Sequence, residues 1–289
     1  MASLIEIRRR IRSVKNTQQI TKAMKMVSAA KLRRTQDRVI AARPYAAMLD
    51  HIVRNLTRAA AGSDVVESHP LLAQRPEQRI QLVLVTADTG LAGGFNSNVI
   101  KLAQRFIREH RGQTVILELL GRKGRDYFRR RHSDFSGEHT TLFLRGSVEA
   151  APARAIARAI VERFSKAEVD SVYIAVNHFK SVLSCELVIQ KILPVALPEG
   201  AEETANYIFE QPPEVLLAEA LPRYVENQIF RAMLESAAAY NAARMTAMDA
   251  ATRNAGEVID KLTLNMNRVR QASITGQIIE IVSGAAAQG

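Results

Sequence analysis

Both ends of the chain carry apolar residues at three- and four-residue steps, with almost nothing to interrupt a helix. Leu4, Ile7, Ile11 and Val14 stand at steps of 3, 4 and 3. Ile20, Met24 and Val27 follow at 4 and 3, as do Leu49, Val53 and Leu56. Steps averaging about 3.5 lay a narrow stripe on a helix, the pattern of a seam between two helices. No glycine precedes Gly62, so one helix is predicted from Ser3 to about Arg58. Pro44 has no backbone N–H and is expected to kink it or to mark a boundary near Arg43. At 1.5 Å per residue such a helix runs roughly 80 Å. At the far end Ala255, Val258, Leu262, Met266 and Val269 repeat the pattern. Pro212 and Pro213 should stop what precedes them, and Pro222 suits the first turn of a helix reaching about Ser283. The stretch 229–251 is rich in Ala and Met, which allow close and irregular helix contacts. Gly256 and Gly276 weaken this helix by about 1 kcal/mol each relative to Ala.

Between the ends the period changes. Ile80–Thr86, Thr114–Leu120, Thr140–Leu144 and Val172–Val176 read as short buried strands. The segments Asn98–His110, Arg122–Arg131 and Ala151–Ser165 between them read as helices. Alternation of strand and helix predicts a mostly parallel sheet covered by helices. Leu187–Leu193 follows so closely that it is expected to run antiparallel. The expected architecture is α/β. Residues 1–60 and 212–289 form two long helices paired antiparallel, and 61–211 an inserted α/β domain of Rossmann-like type. That is a rod with a globular base.

Charge is placed as unevenly as the helical pattern. Residues 1–60 hold 14 Lys and Arg against 3 Asp and Glu, so the whole +11 of the 289-residue chain lies there. Eleven cations crowd Arg8–Arg38, against Glu6 and Asp37. Self-repulsion on one helix calls for an opposing partner: nucleic acid, an anionic membrane or an acidic protein surface. Tyr45 is the only aromatic before residue 60, so stacking platforms for a nucleic acid are missing. A DNA-binding basic zipper would pair with a second copy of itself, whereas this helix has a partner in its own chain. No run of about 18 apolar residues predicts a membrane span. The first residues lack a secretory h-region.

Motifs for chemistry are weak. The loop Thr86–Asn96 (TADTGLAGGFN) sits between strand and helix, where phosphate loops sit. It lacks the Lys and hydroxyl of a P-loop, and its glycines (90, 93 and 94) do not fit G-x-G-x-x-G. A tight turn is the expected role, as it is for Gly121–Gly124. Asp88 is expected as a turn or capping residue. Histidines 51, 69, 110, 132, 139 and 178 have no zinc-ligand spacing. Cys185 has no catalytic context and rules out an internal disulfide.

Three segments then carry a resemblance. They are Ile7–Leu32 (IRRRIRSVKNTQQITKAMKMVSAAKL), the loop Gly90–Asn96, and Arg270–Thr275 continued by Glu280–Ala286. Together they resemble the gamma subunit of the F-type ATP synthase, over essentially the whole chain. The resemblance implies a non-catalytic rotor, one copy per complex, without cofactor or metal and without nucleic acid as partner. It couples rotation of a membrane c-ring, driven by protons, to ATP synthesis or hydrolysis in a ring of alpha and beta subunits. An epsilon subunit is a further implied partner, and the cytoplasmic face of a bacterial inner membrane is the implied location. Carried over, contacts with the catalytic ring fall on Lys15, Lys22, Met24, Lys25 and Lys31, and on Arg270, Gln271 and Thr275. Contacts with the membrane ring fall on Tyr207 and Glu210. The chain departs from the family at Thr89, where a basic residue is usual, at Ala92, often Cys, and at Gln277, usually Glu. The inserted cysteine pair of the chloroplast form is absent, which excludes thiol regulation of that type. A nucleotide-binding α/β enzyme with helical arms and a nucleic-acid-binding rod are the alternative readings.

Overall fold

The computed structural model describes residues 4–60, 69–141, 148–182, 184–195 and 210–286. By contact the chain divides into two compact units, one of 1–28 with 244–289 and one of 29–243. The first long helix, α1, spans Leu4–Ala59. It continues through Pro44, so the expected boundary near Arg43 is absent. Val39, Ala46, Leu49 and Val53 on either side of the proline are buried, and that packing offsets its missing hydrogen bond. The last helix is likewise longer than expected. It starts at Pro213 and ends at Ala286, with Pro222 inside it rather than at its first turn. Pro213 itself takes the opening position, where a missing N–H costs nothing.

Among the described residues the unit of 29–243 has five strands: β1 (Arg79–Val85), β2 (Thr114–Leu120), β3 (Phe135–His139), β4 (Ser171–Phe179) and β5 (Cys185–Leu193). Their order is β3-β2-β1-β4-β5. The first four are parallel and β5 pairs antiparallel with β4. The intervening helices are α2 (Phe95–Glu109), α3 (Arg122–Phe128) and α4 (Ala150–Ser165), and the last helix is therefore α5. β3 is a correction. It lies at Phe135–His139, ahead of the expected Thr140–Leu144, of which 142–144 fall outside the described residues. Thr141 itself takes a positive φ of 71°, outside the strand region.

One face of the sheet is a dry core. Ile80, Leu82 and Leu84 of β1 and Val115, Leu117 and Leu119 of β2 pack with Val99, Ala103 and Phe106 of α2 and Phe128 of α3. By alternation the other face presents Gln81 and Glu118 toward α4, and His178 toward α5. Over 232–242 every residue of α5 is buried. A helix covered all round belongs inside a domain.

In the unit of 1–28 and 244–289 the two end helices run antiparallel. Gln18 Nε2 donates to the Thr252 carbonyl (3.4 Å), Thr252 Oγ1 to Thr21 Oγ1 (2.8 Å), and Lys25 Nζ to Asp249 Oδ1 (2.5 Å). The seam follows the expected stripe at Leu4, Ile7, Ile11, Val14 and Met24, which are buried or half-buried, and departs from it by one residue at two positions of α1. Ile20 and Val27 are exposed, at 59% and 56%. Buried on α1 are Ile7, Thr21 and Ser28, followed in the other unit by Leu32, Thr35 and Val39. The hydroxyls satisfy themselves within the helix, as when Thr21 Oγ1 donates to the Gln18 carbonyl and Thr35 Oγ1 to the Lys31 and Leu32 carbonyls. On α5, Ala255 is buried while Val258 is 42% exposed, so Ile259 takes the half-buried place expected for Val258.

Candidate partner interface

The glycine-rich loop was the one place where ligand chemistry could have stood, and its parts are structural. Asp88, 5% exposed, accepts from the backbone N–H of Arg122 and of Thr141, both at 3.0 Å. It therefore caps the start of α3 and pins the chain after β3, the capping role expected of it. Asn96 Oδ1 accepts from the Ala87 N–H at 2.9 Å, closing the loop on itself. Gly121 has φ +98°, and a Cβ there would meet the Thr86 carbonyl oxygen at 2.0 Å. Only glycine permits this close crossing of two strand ends.

A buried charge cluster escaped the sequence reading. Glu118 is 1% exposed. Its Oε1 faces His139 Nε2 at 2.6 Å, and its Oε2 accepts from Arg163 Nη1 (2.7 Å), Ser136 Oγ (2.5 Å) and Gln81 Nε2 (3.0 Å). Burial alone would raise the carboxyl's pKa. The His139 and Ser136 hydrogen bonds and the Arg163 charge outweigh that and hold it below the ordinary carboxylate value. Gly137 makes room, since a Cβ there would lie 2.1 Å from Glu118 Oε1. The cluster ties edge strand β3 to β1, β2 and α4. The signal available in the sequence was a lone Gln and a lone Glu at sheet-facing positions of apolar strands.

The partner-contact residues carried over by resemblance are placed on helix surfaces. Lys15 and Lys22 are exposed, and Met24, Lys25 and Lys31 are half-buried. Lys25 is engaged by Asp249 of α5, so its charge is not free for another chain. Asp249 is held below its ordinary pKa mainly by that hydrogen bond. Arg270, Gln271 and Thr275 are exposed, and Thr275 Oγ1 donates to the Gln271 carbonyl. Glu210 is exposed, and Tyr207 falls outside the described residues. The sequence reading missed the apolar residues beside these positions. Ile5, Ile20, Met26 and Val27 on α1 are exposed by 56–79%, and Ile274, Ile278, Ile279, Ile281 and Val282 on α5 by 48–72%. Their offset by one or two positions from the seam was the available signal. A long basic helix, and a second helix with uncovered isoleucines, describe a binding surface.

In the other unit an open groove of about 580 Å³ lies between α1, α4 and α5, lined by Tyr45, Arg154, Arg158, Arg223 and Glu226. Arg158 and Glu226 approach to 3.5 Å, which leaves the groove basic. Among the described residues no group of three or more His, Cys, Asp and Glu is placed to hold a metal ion. No described helix is long and apolar enough to cross a membrane.

A family model described as ATP synthase matches residues 3–288. The ATP synthase gamma chain of Solibacter usitatus is 59% identical over 99% of both chains. That of Anaeromyxobacter sp. strain Fw109-5 is 48% identical, again over 99% of each. Among solved structures, the central stalk and c-ring of the Tetrahymena thermophila mitochondrial ATP synthase contains a chain similar at a TM-score of 0.62 and 25% identity. The similarity covers 80% of this chain and 99% of that one. A chain in the Euglena gracilis mitochondrial enzyme shares the fold at a TM-score of 0.69 and 18% identity, covering 99% and 94%. With these similarities running from one end to the other, this chain belongs to the ATP synthase gamma chain family.

Proposed function

We infer that the chain is the central-stalk rotor subunit of a proton-translocating ATP synthase and carries no catalysis of its own. Residues 61–211 serve as an inserted α/β domain between the helical segments 1–60 and 212–289. The membrane c-ring turns this subunit, and the end helices turn inside a ring of alpha and beta subunits. The epsilon subunit binds alongside. The complex stands on the cytoplasmic face of a bacterial inner membrane. One observation carries the reading: the paired end helices leave basic and isoleucine-rich faces uncovered, as helices enclosed by another protein would.

The mechanism is differential contact. Each catalytic site alternates between conformations, and a rotor biases it only by binding those conformations unequally. The α1 contacts are Lys15, Lys22, Met24 and Lys31, with Lys25 acting through its bond to Asp249. Arg270, Gln271 and Thr275 supply the α5 contacts, and Tyr207 and Glu210 meet the membrane ring. Exposed ion pairs contribute only about 0–1 kcal/mol each, so the bias is spread over many of them. A Met24→Lys change places a long cation in a half-buried apolar site on this surface. It should lower the ratio of ATP-driven proton pumping to hydrolysis, while Lys22→Ala should change assembly only slightly.

Affinity purification of the tagged chain from membranes tests the function. A co-purifying ring that hydrolyses ATP supports it. A stoichiometric micromolar nucleotide site on the isolated chain, read by calorimetry, would overturn it in favour of an α/β enzyme.

A further inference from the structure

Open α/β sheets take their ligands in the crevice outside the carboxyl ends of the strands, where the strand order reverses. Here the reversal falls between β1 and β4, and the chain's own last helix fills the crevice. Tyr240 of α5 is 7% exposed. Its hydroxyl lies 2.5 Å from Thr89 Oγ1 and donates to the Gly90 carbonyl at 3.3 Å. Its ring stands edge-on to Phe95, at 5.5 Å and 70°. All three partners belong to the loop and helix start that follow β1. On the β4 side, His178, next to the strand's last residue, pairs with Glu235, which also accepts from Arg231 Nε at 2.8 Å. Glu235 is 2% exposed.

Between these two points α5 presents Ala237, Ala238 and Ala239. Alanines let a helix approach closely but offer little to resist its turning about its own axis. A long side chain keyed into a crevice and a directional contact between Glu235 and His178 do resist it.

We propose that Tyr240 and Glu235 form a two-point latch that makes the sheet and α5 turn as one piece, with Tyr240 a positioning residue for coupling. This rests on the rotor reading. Torque delivered to the α/β unit reaches the rest of α5 only through a joint that does not slip. The Thr89 hydroxyl completes the latch.

The test uses the assembled complex in inverted membrane vesicles, with hydrolysis and proton pumping measured together. Tyr240→Ala should keep hydrolysis and lower the pumping-to-hydrolysis ratio about two- to fivefold. Tyr240→Phe and Thr89→Val, which remove one hydroxyl each, should lower it less. A bis-maleimide joining the two thiols of a Thr89→Cys, Tyr240→Cys, Cys185→Ser variant should return the ratio to the wild-type value. A merely structural role would change yield or melting temperature and leave the ratio alone. A wild-type ratio in Tyr240→Ala overturns the latch, as does a tether that stops turnover. If Tyr240→Ala does not assemble, an unchanged ratio in both hydroxyl variants overturns it. Failure of the rotor reading looks different, because wild-type vesicles would then hold no hydrolysing complex containing this chain.

Discussion

Replacing Glu118 by Gln should destabilise the unit of 29–243 far more than an isosteric change ordinarily does. Four donor groups converge on the carboxylate, from Gln81, Ser136, His139 and Arg163. An amide oxygen in the place of Oε2 keeps the Arg163, Ser136 and Gln81 donors but without the negative charge. The amide nitrogen then faces His139 Nε2, which accepts only in the tautomer that carries its proton on Nδ1, in a site 1% exposed. Losing the carboxylate also leaves the Arg163 guanidinium, 24% exposed, without its counter-charge. Removing one partner of a buried pair costs about 3–5 kcal/mol, against a whole-domain stability of about 5–15 kcal/mol. Urea unfolding of the full chain, with amide exchange read at Phe135–His139, should show the loss concentrated in β3.

The pH dependence follows from the sign of the shift. Glu118 is held below its ordinary value of 4.5. Its stabilising contribution is therefore complete above that value, and it is lost as pH falls through the lower folded-state value. Glu235, lowered by His178 and Arg231 against its own burial, behaves alike. Acid should weaken wild type below about pH 4.5 and weaken Glu118→Gln less steeply, because that titration is gone. A Glu118→Gln chain within about 0.5 kcal/mol of wild type at neutral pH would refute the reasoning.

Gly121→Ala should cost about 3 kcal/mol, because φ is +98° and the new Cβ meets the Thr86 carbonyl at 2.0 Å. Gly112→Ala, which meets nothing within 4 Å, is the control in the same thermal melts. The Lys25–Asp249 pair, 44% and 32% exposed, should couple by less than about 1 kcal/mol in a double-mutant cycle. Thr21→Asp should break the pairing of the end helices, whereas Ile20→Asp, one residue away but 59% exposed, should fold normally and reduce recovery of the chain with the ring. Circular dichroism and co-purification on the same preparations separate the two.

Three of the strands read from the sequence have side chains apolar on both faces, and the fourth, β5, was read from its short link to β4 although most of it is exposed. β1, β2 and β4 are sandwiched between helices, so their runs of Val, Ile and Leu announce them. β3 was misplaced because Phe135–His139 has no apolar run. It is held by the Glu118 cluster and by the close approach of Gly137, and both are tertiary facts. The seam of the end helices departs from the apolar stripe at Ile20 and Val27 for a related reason. Apolar spacing marks the covered side at Leu4, Ile7, Ile11, Val14 and Met24, but Thr21, Ser28 and Thr35 occupy it at seven-residue intervals. Small hydroxyls fit between close helices and satisfy themselves on the preceding turn, which leaves the larger apolar residues outside. Of the site, the basic side of α1 was legible as charge. The capture of Lys25 by Asp249 was not, since it depends on the register between two distant segments.

The last helix divides its work along its length, and the division follows side-chain size. Over 232–242 it is buried on all sides, with small residues at six of the positions, and its position rests on the longer side chains Met233, Leu234, Glu235, Tyr240 and Asn241. From Arg270 to Ser283 every residue is exposed, though the stretch contains three isoleucines and a valine within 278–282. Left in water, each of those side chains forgoes about 1.5–3 kcal/mol that burial would return. Helix propensity does not explain them, because β-branched residues are poor helix formers. On the proposed rotor reading, a surface outside this chain covers them. The charge nearby is light: Arg270 and Glu280 are the only charged residues in that stretch. A cover for this end is therefore apolar in character, while the basic side of α1 calls for acidic groups. A single enclosing assembly must supply both, at different levels along the paired helices, and a protein ring can do so where a uniformly anionic partner such as nucleic acid cannot.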